Sequence, residues 1–257
     1  MNNHIVSCYG IIGAMDTEIQ MIRDKMDFCR TNSLYGLKFY QGRIGSFDVV
    51  LAKCGIGKVN AARCAQILID RSNPDYLINT GVAGGIGPGL KIGDMVLSTD
   101  LVQHDFNMNA LGCVDGCQSL EIKDRPTLFH ADEALLSRFE KIAKETAGEG
   151  AIHRGPIATG DTFVADHDSK KRIHDTFGAI ACEMEGAAIA QVAQAAHVPF
   201  LVIRAISDLA DGSASESYAN FERHAAELSA KMLLKFLEDA YVNANQGAVS
   251  KQFNELR

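Results

Sequence analysis

The segments VSCYGIIG (residues 6–13) and TEIQMIRDKM (residues 17–26) decide the predicted fold. The first is an apolar run of β type, and the apolar residues of the second recur at helical spacing, so a strand leads through a tight junction into a helix. The order then repeats, since residues 37–54 indicate two strands around a Gly-Ser turn and residues 57–71 indicate the next helix.

The rest of the chain continues this alternation. Apolar strands are predicted at residues 76–80, 95–98, 180–184 and 200–206, and helices at residues 131–147, 186–197 and 221–241. We therefore predict one α/β domain over residues 1–242, with a central mixed, largely parallel twisted sheet flanked by helices, followed by a polar C-terminal tail at 243–257. The irregular stretch 104–130 is of a length that is usually functional, disordered or at an interface.

Composition narrows the classes of partner. The chain has 257 residues, 47% of them hydrophobic, which is enough for one large core. Its formal net charge of -7 argues against nucleic acid or an anionic membrane, because phosphate binding needs clustered Lys and Arg. The sequence has neither a signal-peptide pattern nor an apolar run near the roughly 18 residues of a membrane span, so a cytoplasmic protein is predicted.

The cysteines do not predict a metal site. Seven of them are scattered through apolar segments, which is typical of reduced, buried thiols rather than a disulfide framework. Only Cys113 and Cys117 lie close together, and no second Cys or His pair at metal spacing accompanies them.

Candidate functional residues follow the strands, because ligands of α/β sheets bind beyond the carboxyl ends of the strands. Taken alone, Glu18 and Glu185 are explained as first-turn acids favoured by the helix dipole, and Asp208 as an N-cap or turn residue. Their shared placement at strand ends weakens that explanation. The segments concerned are AMDTE (14–18), NTGVAGG (79–85), EME (183–185) and RAISD (204–208).

The glycine-rich segments do not match a nucleotide-binding signature. NTGVAGG does not open a helix with GxGxxG, and no Gly-Lys-Ser/Thr follows it as in a P-loop. In GIGKVN (55–60), Asn60 stands where a dinucleotide fingerprint has its third glycine. A Rossmann site is not predicted, and the glycines instead permit a ligand to approach the backbone.

Taken together, these motifs resemble the 5'-methylthioadenosine/S-adenosylhomocysteine nucleosidases of the nucleoside phosphorylase superfamily. The resemblance implies a nucleoside phosphorylase-like fold and hydrolysis of the N-glycosidic bond of both nucleosides, releasing adenine and a thioribose, in methionine salvage. In the family's order, the matching segments are GIIGAMDTEI (10–19), GIGKVNAA (55–62), NTGVAGG (79–85), GDTFV (160–164), EMEGAAIA (183–190) and VPFLVIRAISDLAD (198–211).

The resemblance implies two catalytic residues. Asp208 is the implied general acid that protonates N7 of adenine, and Ser207 helps to orient its side chain. Glu18 is the implied general base that activates water at C1'. Since an ordinary Asp has a pKa of about 3.9, the role of Asp208 requires a raised pKa or a shared proton.

Other residues match the family's ribose and adenine contacts. Glu185 would hold the ribose hydroxyls, Met184 would pack on the ribose, and Arg204 would orient one of the carboxylates. Phe163 would stack on adenine, while the backbone of Val164 reads its edge.

The pocket for the 5' substituent is expected to be apolar, since that substituent is an uncharged thioether. Met15, Ile56 and Tyr218 match family positions there, and Gly84 offers its backbone. In the family the partner subunit of a homodimer closes the pocket, which makes Met108 and Leu111 the candidates for that wall.

Three alternatives stay open. A phosphorylase would need basic residues beside the glycine loops, where only Lys58 and Arg204 stand and Glu18 would repel phosphate. Hydrolysis of another purine nucleoside, such as a futalosine-type substrate, is kept open by Val82, where the family often has Ser, and by the unusual segment 113–130. A non-catalytic nucleoside-binding or storage protein has the same fold but no need of the three acids.

The reaction needs an acid, a base and a residue that holds the ribose, and the resemblance supplies all three. We therefore predict no cofactor, and a nucleoside as the small-molecule partner. The pair His104-Asp105 lacks a serine nucleophile, and we interpret it as structural or interfacial.

Overall fold

The computed structural model describes the backbone of residues 7–254 and the side chains of residues 7–238. Strands and helices alternate along this part of the chain, as the apolar patterns predict. In order they are β1 (Cys8–Gly13), α1 (Asp16–Asp24), β2 (Asp27–Leu34), β3 (Leu37–Ile44), β4 (Phe47–Lys53), α2 (Lys58–Ser72), β5 (Tyr76–Gly85), β6 (Met95–Gln103), β7 (Phe129–His130), α3 (Glu133–Ala147), β8 (Ile152–Thr159), α4 (His167–Phe177), β9 (Ala181–Glu183), α5 (Gly186–Ala195), β10 (Phe200–Asp208) and α6 (Ala214–Asn254).

The strands form one mixed sheet, in the order β10-β6-β8-β9-β5-β1-β4-β3-β2, with β7 beside β6. Because β10 also pairs with β5, the strands β5, β10, β6, β8 and β9 close on themselves as a small barrel, and β1 to β4 extend from it. Parallel pairs join β1 to β4 and β5, β5 to β10, and β8 to β6 and β9. The antiparallel pairs are as numerous. Tight turns connect β2, β3 and β4, and the other antiparallel pairs join β6 to β7 and β10, and β5 to β9.

Helices cover both faces of the sheet, and the side chains of a strand alternate between them. Ile12 of β1 lies in the core formed with α2 and α5, whereas its neighbour Ile11 lies in the core formed with α1, α3 and α6. Both isoleucines are fully buried. The alternation follows from the period of two in a strand, and burial on both faces explains why β1 is apolar throughout.

Four elements have no counterpart in the predicted pattern. Strand β7 has only two residues and ends the stretch that was predicted to be irregular. Strand β2 is exposed along most of its length, so it lacks an apolar alternation. Strand β8 carries a Gly-Pro pair, and α4 buries only Ile173 among its residues. Such elements are invisible to a search for apolar periodicity, because tertiary contacts rather than their own pattern fix them.

The long stretch after β6 is irregular, as predicted, but it is internally bonded. Residues 104–128 contain one short 3₁₀ turn, Asn109–Leu111. The amide of Gly116 donates to the Phe106 carbonyl at 2.9 Å, and the amide of Val114 donates to the Lys123 carbonyl at 2.9 Å. These bonds give the loop a fixed shape with exposed apolar side chains such as Leu111, which is 56% exposed.

The C-terminal helix α6 begins at Ala214, before the predicted start at residue 221, and its backbone continues to Asn254. The side chains of the predicted polar tail, 243–257, lie outside the described residues, so the boundary at residue 242 stays a prediction. Among the residues that the structure describes, no helix is both long and apolar enough to span a bilayer. The cytoplasmic location stays a prediction.

Candidate active site

A cavity of about 450 Å³ lies where the ends of β1, β5, β9 and β10 meet the first turns of α1 and α6. This volume suits a small-molecule ligand. Every predicted site residue except Arg204, Met108 and Leu111 lines it, namely Met15, Glu18, Ile56, Gly84, Phe163, Val164, Met184, Glu185, Ser207, Asp208 and Tyr218.

Glu18 is held at one side of the cavity by backbone amides. Its Oε2 accepts hydrogen bonds from the amides of Ala14 (2.6 Å) and Met15 (3.0 Å), and its Oε1 accepts one from Val82 (3.1 Å). Gly81 permits this approach, because a Cβ there would collide with the carboxylate. Burial raises the pKa of Glu18 even though the Arg204 charge and the three amides favour its ionised form.

Asp208 ends β10 on another wall and is 1% exposed. Its Oδ2 accepts a hydrogen bond from the Ser207 hydroxyl at 2.9 Å, and its Oδ1 accepts one from the amide of Ala210 at 2.9 Å. Burial raises the pKa of Asp208 above its ordinary value, and these two bonds oppose the rise only in part. The raised pKa is the property that a proton donor at this position requires.

Glu185 precedes α5 and reaches across to the start of α2. Its Oε1 accepts a hydrogen bond from the amide of Gly57 at 2.8 Å. Burial and the neighbouring Glu183 carboxylate raise the pKa of Glu185 to about 8, against the charge of Arg204. A carboxyl with its pKa near neutrality is a candidate functional group, since small changes in its surroundings change its charge.

Arg204 lies beneath the cavity and does not line it, so its assignment as a substrate-binding residue stays a prediction. Its guanidinium is 2% exposed, ion-pairs with Glu183 and donates to the side chain of Asn79. Glu183 in turn accepts hydrogen bonds from the Thr159 hydroxyl and the Gly186 amide. Arg204 therefore orients a fourth carboxylate of the region, Glu183, and acts on Glu18 and Glu185 through its charge.

The remaining wall is apolar, as expected for a thioether pocket. Phe163 and Tyr218 form an edge-to-face pair with ring centroids 5.4 Å apart, and Phe163 is 44% exposed. The Tyr218 hydroxyl lies 3.3 Å from the sulfur of Met15. Val164 is buried, whereas Ile56 is 54% exposed at the rim.

A closed ring of hydrogen bonds fixes the segment that carries Phe163. The Lys58 amide donates to Asp161 Oδ1 (2.8 Å), the Asp161 amide donates to Asp105 Oδ2 (2.9 Å), and the Lys58 ammonium pairs with Asp105 Oδ1 (2.6 Å). We call these three residues the loop anchor. Sequence reasoning missed it because its members lie far apart in the chain, although Asp105 falls in the pair that we interpreted as structural.

Met108 and Leu111 lie outside the cavity of the single chain. Met108 is half-buried in the long loop, and Leu111 faces solvent. Their assignment to a partner's pocket stays a prediction.

Several lining residues were not predicted. They adjoin predicted residues in the same motifs, apart from Ser215, which lies in the first turn of α6; the others are Ala14, Val82, Ala83, Thr162, Cys182 and Glu183. Adjacency to a strand end was the signal that could have found most of them. Within residues 7–238, no group of three or more His, Cys, Asp or Glu side chains is placed to hold a metal ion.

Comparison with known proteins supplies independent information. The sequence model of the phosphorylase superfamily matches residues 9–238. A 5'-methylthioadenosine/S-adenosylhomocysteine nucleosidase of Geobacillus kaustophilus is 40% identical over 228 residues, covering 88% of this chain and 95% of that protein. A nucleosidase of the same name from Bacillus thuringiensis is 39% identical over 230 residues, covering 89% of this chain and 97% of that protein.

Solved structures are similar over the same extent. The nucleosidase of Neisseria meningitidis in complex with methylthio-immucillin-A has a TM-score of 0.85 at 36% identity, covering 91% of this chain and 100% of that one. The S-adenosylhomocysteine nucleosidase of Streptococcus pyogenes in complex with 5-methylthiotubericidin has a TM-score of 0.85 at 34% identity, covering 93% and 99%.

Proposed function

The chain belongs to the phosphorylase superfamily, and from this premise we propose that it hydrolyses the N-glycosidic bond of 5'-methylthioadenosine and S-adenosylhomocysteine, releasing adenine and the thioribose. One observation carries the proposal: two buried acids, Glu18 and Asp208, line one cavity whose remaining wall is apolar. The nucleosidases that this chain resembles bear these substrates in their names.

Asp208 serves as the general acid. Departure of adenine leaves negative charge on the purine, so a proton delivered to N7 lowers the barrier. Burial keeps the pKa of Asp208 raised, which favours the protonated form, and the Ser207 and Ala210 bonds fix the carboxyl in one orientation.

Glu18 serves as the general base for water. The sugar develops oxocarbenium character in the transition state, and an ionised carboxylate both activates water at C1' and stabilises positive charge. Burial raises the pKa of Glu18, and the charge of Arg204 and the three amides that donate to Glu18 oppose that rise and favour the ionised form that this role needs.

The rest of the cavity matches the rest of a thioether nucleoside. Glu185 accepts hydrogen bonds from the ribose hydroxyls, and Met184 packs beside the sugar. Phe163 stacks on the purine. Met15 and Tyr218 form the pocket for the 5' sulfur substituent, where their mutual contact leaves an apolar surface. Val164 reads the edge of the base through its backbone.

Water rather than phosphate is the nucleophile. The two basic residues considered for a phosphate cradle are both engaged elsewhere, Lys58 with Asp105 and Arg204 with Glu183. The cavity instead places the buried acid Glu18 where an anion would approach.

We also propose a homodimer in which residues 104–112 close the partner's pocket. Leu111 is exposed on an internally bonded loop, and other apolar side chains of that loop, Val114, Leu120 and Ile122, are exposed as well. Exposed apolar side chains grouped on one loop are typical of an interface.

The test is incubation of the purified protein with 5'-methylthioadenosine, with and without phosphate. We expect adenine and free methylthioribose in equal amounts and at the same rate in both. Formation of methylthioribose 1-phosphate, dependent on phosphate, would replace this function with a phosphorylase and remove Glu18 as the base. Binding without any product would indicate a nucleoside-binding protein.

A further inference from the structure

The peptide unit between Leu209 and Ala210 is bonded at both ends. Its N–H, which belongs to Ala210, donates to Oδ1 of Asp208 at 2.9 Å. Its carbonyl, which belongs to Leu209, accepts a hydrogen bond from the ammonium of Lys170 at 2.7 Å. In a planar trans peptide the N–H and C=O point in opposite directions, so Lys170 and Asp208 lie on opposite sides of one rigid unit.

This peptide unit is held in an unfavourable conformation. Ala210 has a φ of +51° and is fully buried. Residues other than glycine adopt such a conformation only where the surroundings fix it. Helix α4 supplies part of those surroundings, because Ile173 packs in the same apolar cluster as Ala210 and Lys170 stands one turn earlier on that helix.

We infer that Lys170 is a positioning residue for Asp208 and acts through the Leu209–Ala210 peptide. A cation on the carbonyl oxygen polarises the peptide, which makes its N–H a stronger donor to the carboxyl. The same contact fixes the direction of that N–H, and thereby the orientation of the Asp208 side chain. The inference rests on the proposed function in one respect, namely that Asp208 is the proton donor.

Among the described residues around Asp208, Lys170 supplies a positive charge that acts on it. Ser207 donates from its own strand, Asp211 lies in the following turn, Cys182 of β9 lies beside it, and Tyr218 of α6 faces the same cavity. Of these, the Asp211 charge favours the protonated carboxyl. The positive charge of Lys170 opposes it and lowers the pKa of Asp208.

The chain provides a matched control on the same helix. Lys171, the next residue, ion-pairs with Asp175 on the solvent side of α4, and its side chain is 64% exposed. Replacing Lys171 removes the same charge and the same side-chain length from the helix without touching the Leu209 carbonyl.

The experiment compares Lys170→Met, Lys170→Arg and Lys171→Met with the unaltered protein. For each, kcat and KM for 5'-methylthioadenosine are measured across pH, together with Tm. Loss of Lys170 is expected to lower kcat about tenfold with little change in KM, because the carboxyl that delivers the proton loses its fixed orientation, and this outweighs the gain in its protonated fraction. Because the charge no longer lowers the pKa of Asp208, the basic limb of the kcat profile moves to higher pH. Lys170→Arg keeps most of kcat, and Lys171→Met behaves like the unaltered protein.

The outcomes separate this inference from the proposed function. If the unaltered protein releases no adenine, the proposed function fails. If it releases adenine but Lys170→Met matches Lys171→Met in kcat and pH profile, the inference fails. The inference also fails if Lys170→Met lowers Tm or kcat but leaves the basic limb of the kcat–pH profile where it is in the unaltered protein. A purely structural role of Lys170 would give that result. Lys170→Gln replaces Lys170→Met if the latter does not fold and is expected to move the limb in the same direction.

Discussion

Glu183 and Glu185 are two residues apart and both line the cavity, yet their carboxyl groups have different partners. Glu183 is ion-paired with Arg204, whereas Glu185 accepts a hydrogen bond from the Gly57 amide at 2.8 Å. Burial and the negative charge of Glu183 raise the pKa of Glu185, and the charge of Arg204 opposes that rise.

Substrate binding is predicted to release a proton from Glu185. Burial and Glu183 raise the pKa of Glu185 to about 8, so the free protein holds it largely protonated at neutral pH. Ribose hydroxyls that donate to this group favour the ionised form, and binding therefore tightens as pH rises toward about 8. Calorimetry of 5'-methylthioadenosine binding in buffers of different ionisation enthalpy measures the released protons. Because turnover would obscure the signal, the Asp208→Asn variant is used.

Glu185→Gln on the same background is the control, and its binding should release no proton from this site. Binding to the Asp208→Asn variant that is independent of pH, or that takes up a proton, would contradict the prediction.

Asp208→Asn is predicted to lose turnover while keeping most of its affinity. An amide is close in size to the carboxyl and still accepts the Ala210 hydrogen bond, but it cannot deliver a proton. The expected fall in kcat is about 10²–10⁴-fold, the range of general acid catalysis. Adenine release and equilibrium binding are measured on the same preparation. Unchanged turnover would contradict the assignment of Asp208 as the general acid.

Gly81→Ala is predicted to abolish hydrolysis by displacing Glu18. A Cβ at this position would collide with the carboxylate, which would then leave the three amides that hold it. Gly150→Ala is the matched control, because a Cβ there meets no atom within 4 Å. The measurement is kcat at equal folded fraction, judged from circular dichroism. If Gly81→Ala keeps the activity of Gly150→Ala, the base is not Glu18.

Asp105→Asn is predicted to weaken substrate binding by loosening the loop anchor. It removes the charge that pairs with Lys58 and weakens the acceptor for the Asp161 amide, so the segment that carries Phe163 loses its fixed position. For a partly exposed charged hydrogen bond of about 1.4 kcal/mol, KM should rise about tenfold. kcat should change less, since the anchor touches neither Glu18 nor Asp208.

Glu133→Gln serves as the comparison for that variant. It also removes a carboxylate from an ion pair, here with Arg154, but at an exposed position away from the cavity. An equal KM in the two variants would show that the loop anchor does not position the base-binding segment.

The sequence allowed much of the framework to be predicted. The strand-end rule and the motifs led to Glu18, Glu185 and Asp208, and the structure places all three on one cavity. Strands β1, β4, β5 and β10 were predictable because burial on both faces gives each of them a run of consecutive apolar residues. Closure of the barrel was not predictable, since no local pattern specifies that β10 pairs with β5 as well as β6.

Contacts between distant segments were beyond reach for the same reason. Arg204 belongs to the segment RAISD (204–208), which suggested a role at the ligand. Its partner is set by which carboxylate the fold brings beside it, and that carboxylate is Glu183. The contact of Lys170 with the Leu209 carbonyl joins α4, an element with one buried side chain, to the end of β10. The sequence of a polar helix does not indicate which distant backbone carbonyl one of its side chains will contact.

The way in which Glu18 is held has a consequence for how this pocket can diversify. Its partners are the main-chain amides of residues 14, 15 and 82, which every residue except proline can provide. Side chains at Met15 and Val82 can thus be exchanged without removing a donor from the base, although both line the cavity. A library at Met15, which lies beside Tyr218 in the proposed 5' pocket, should yield new preferences for the 5' group of the nucleoside. The position of the Glu18 carboxylate should then be unchanged, because it depends on the course of the backbone rather than on the identity of the neighbouring residues.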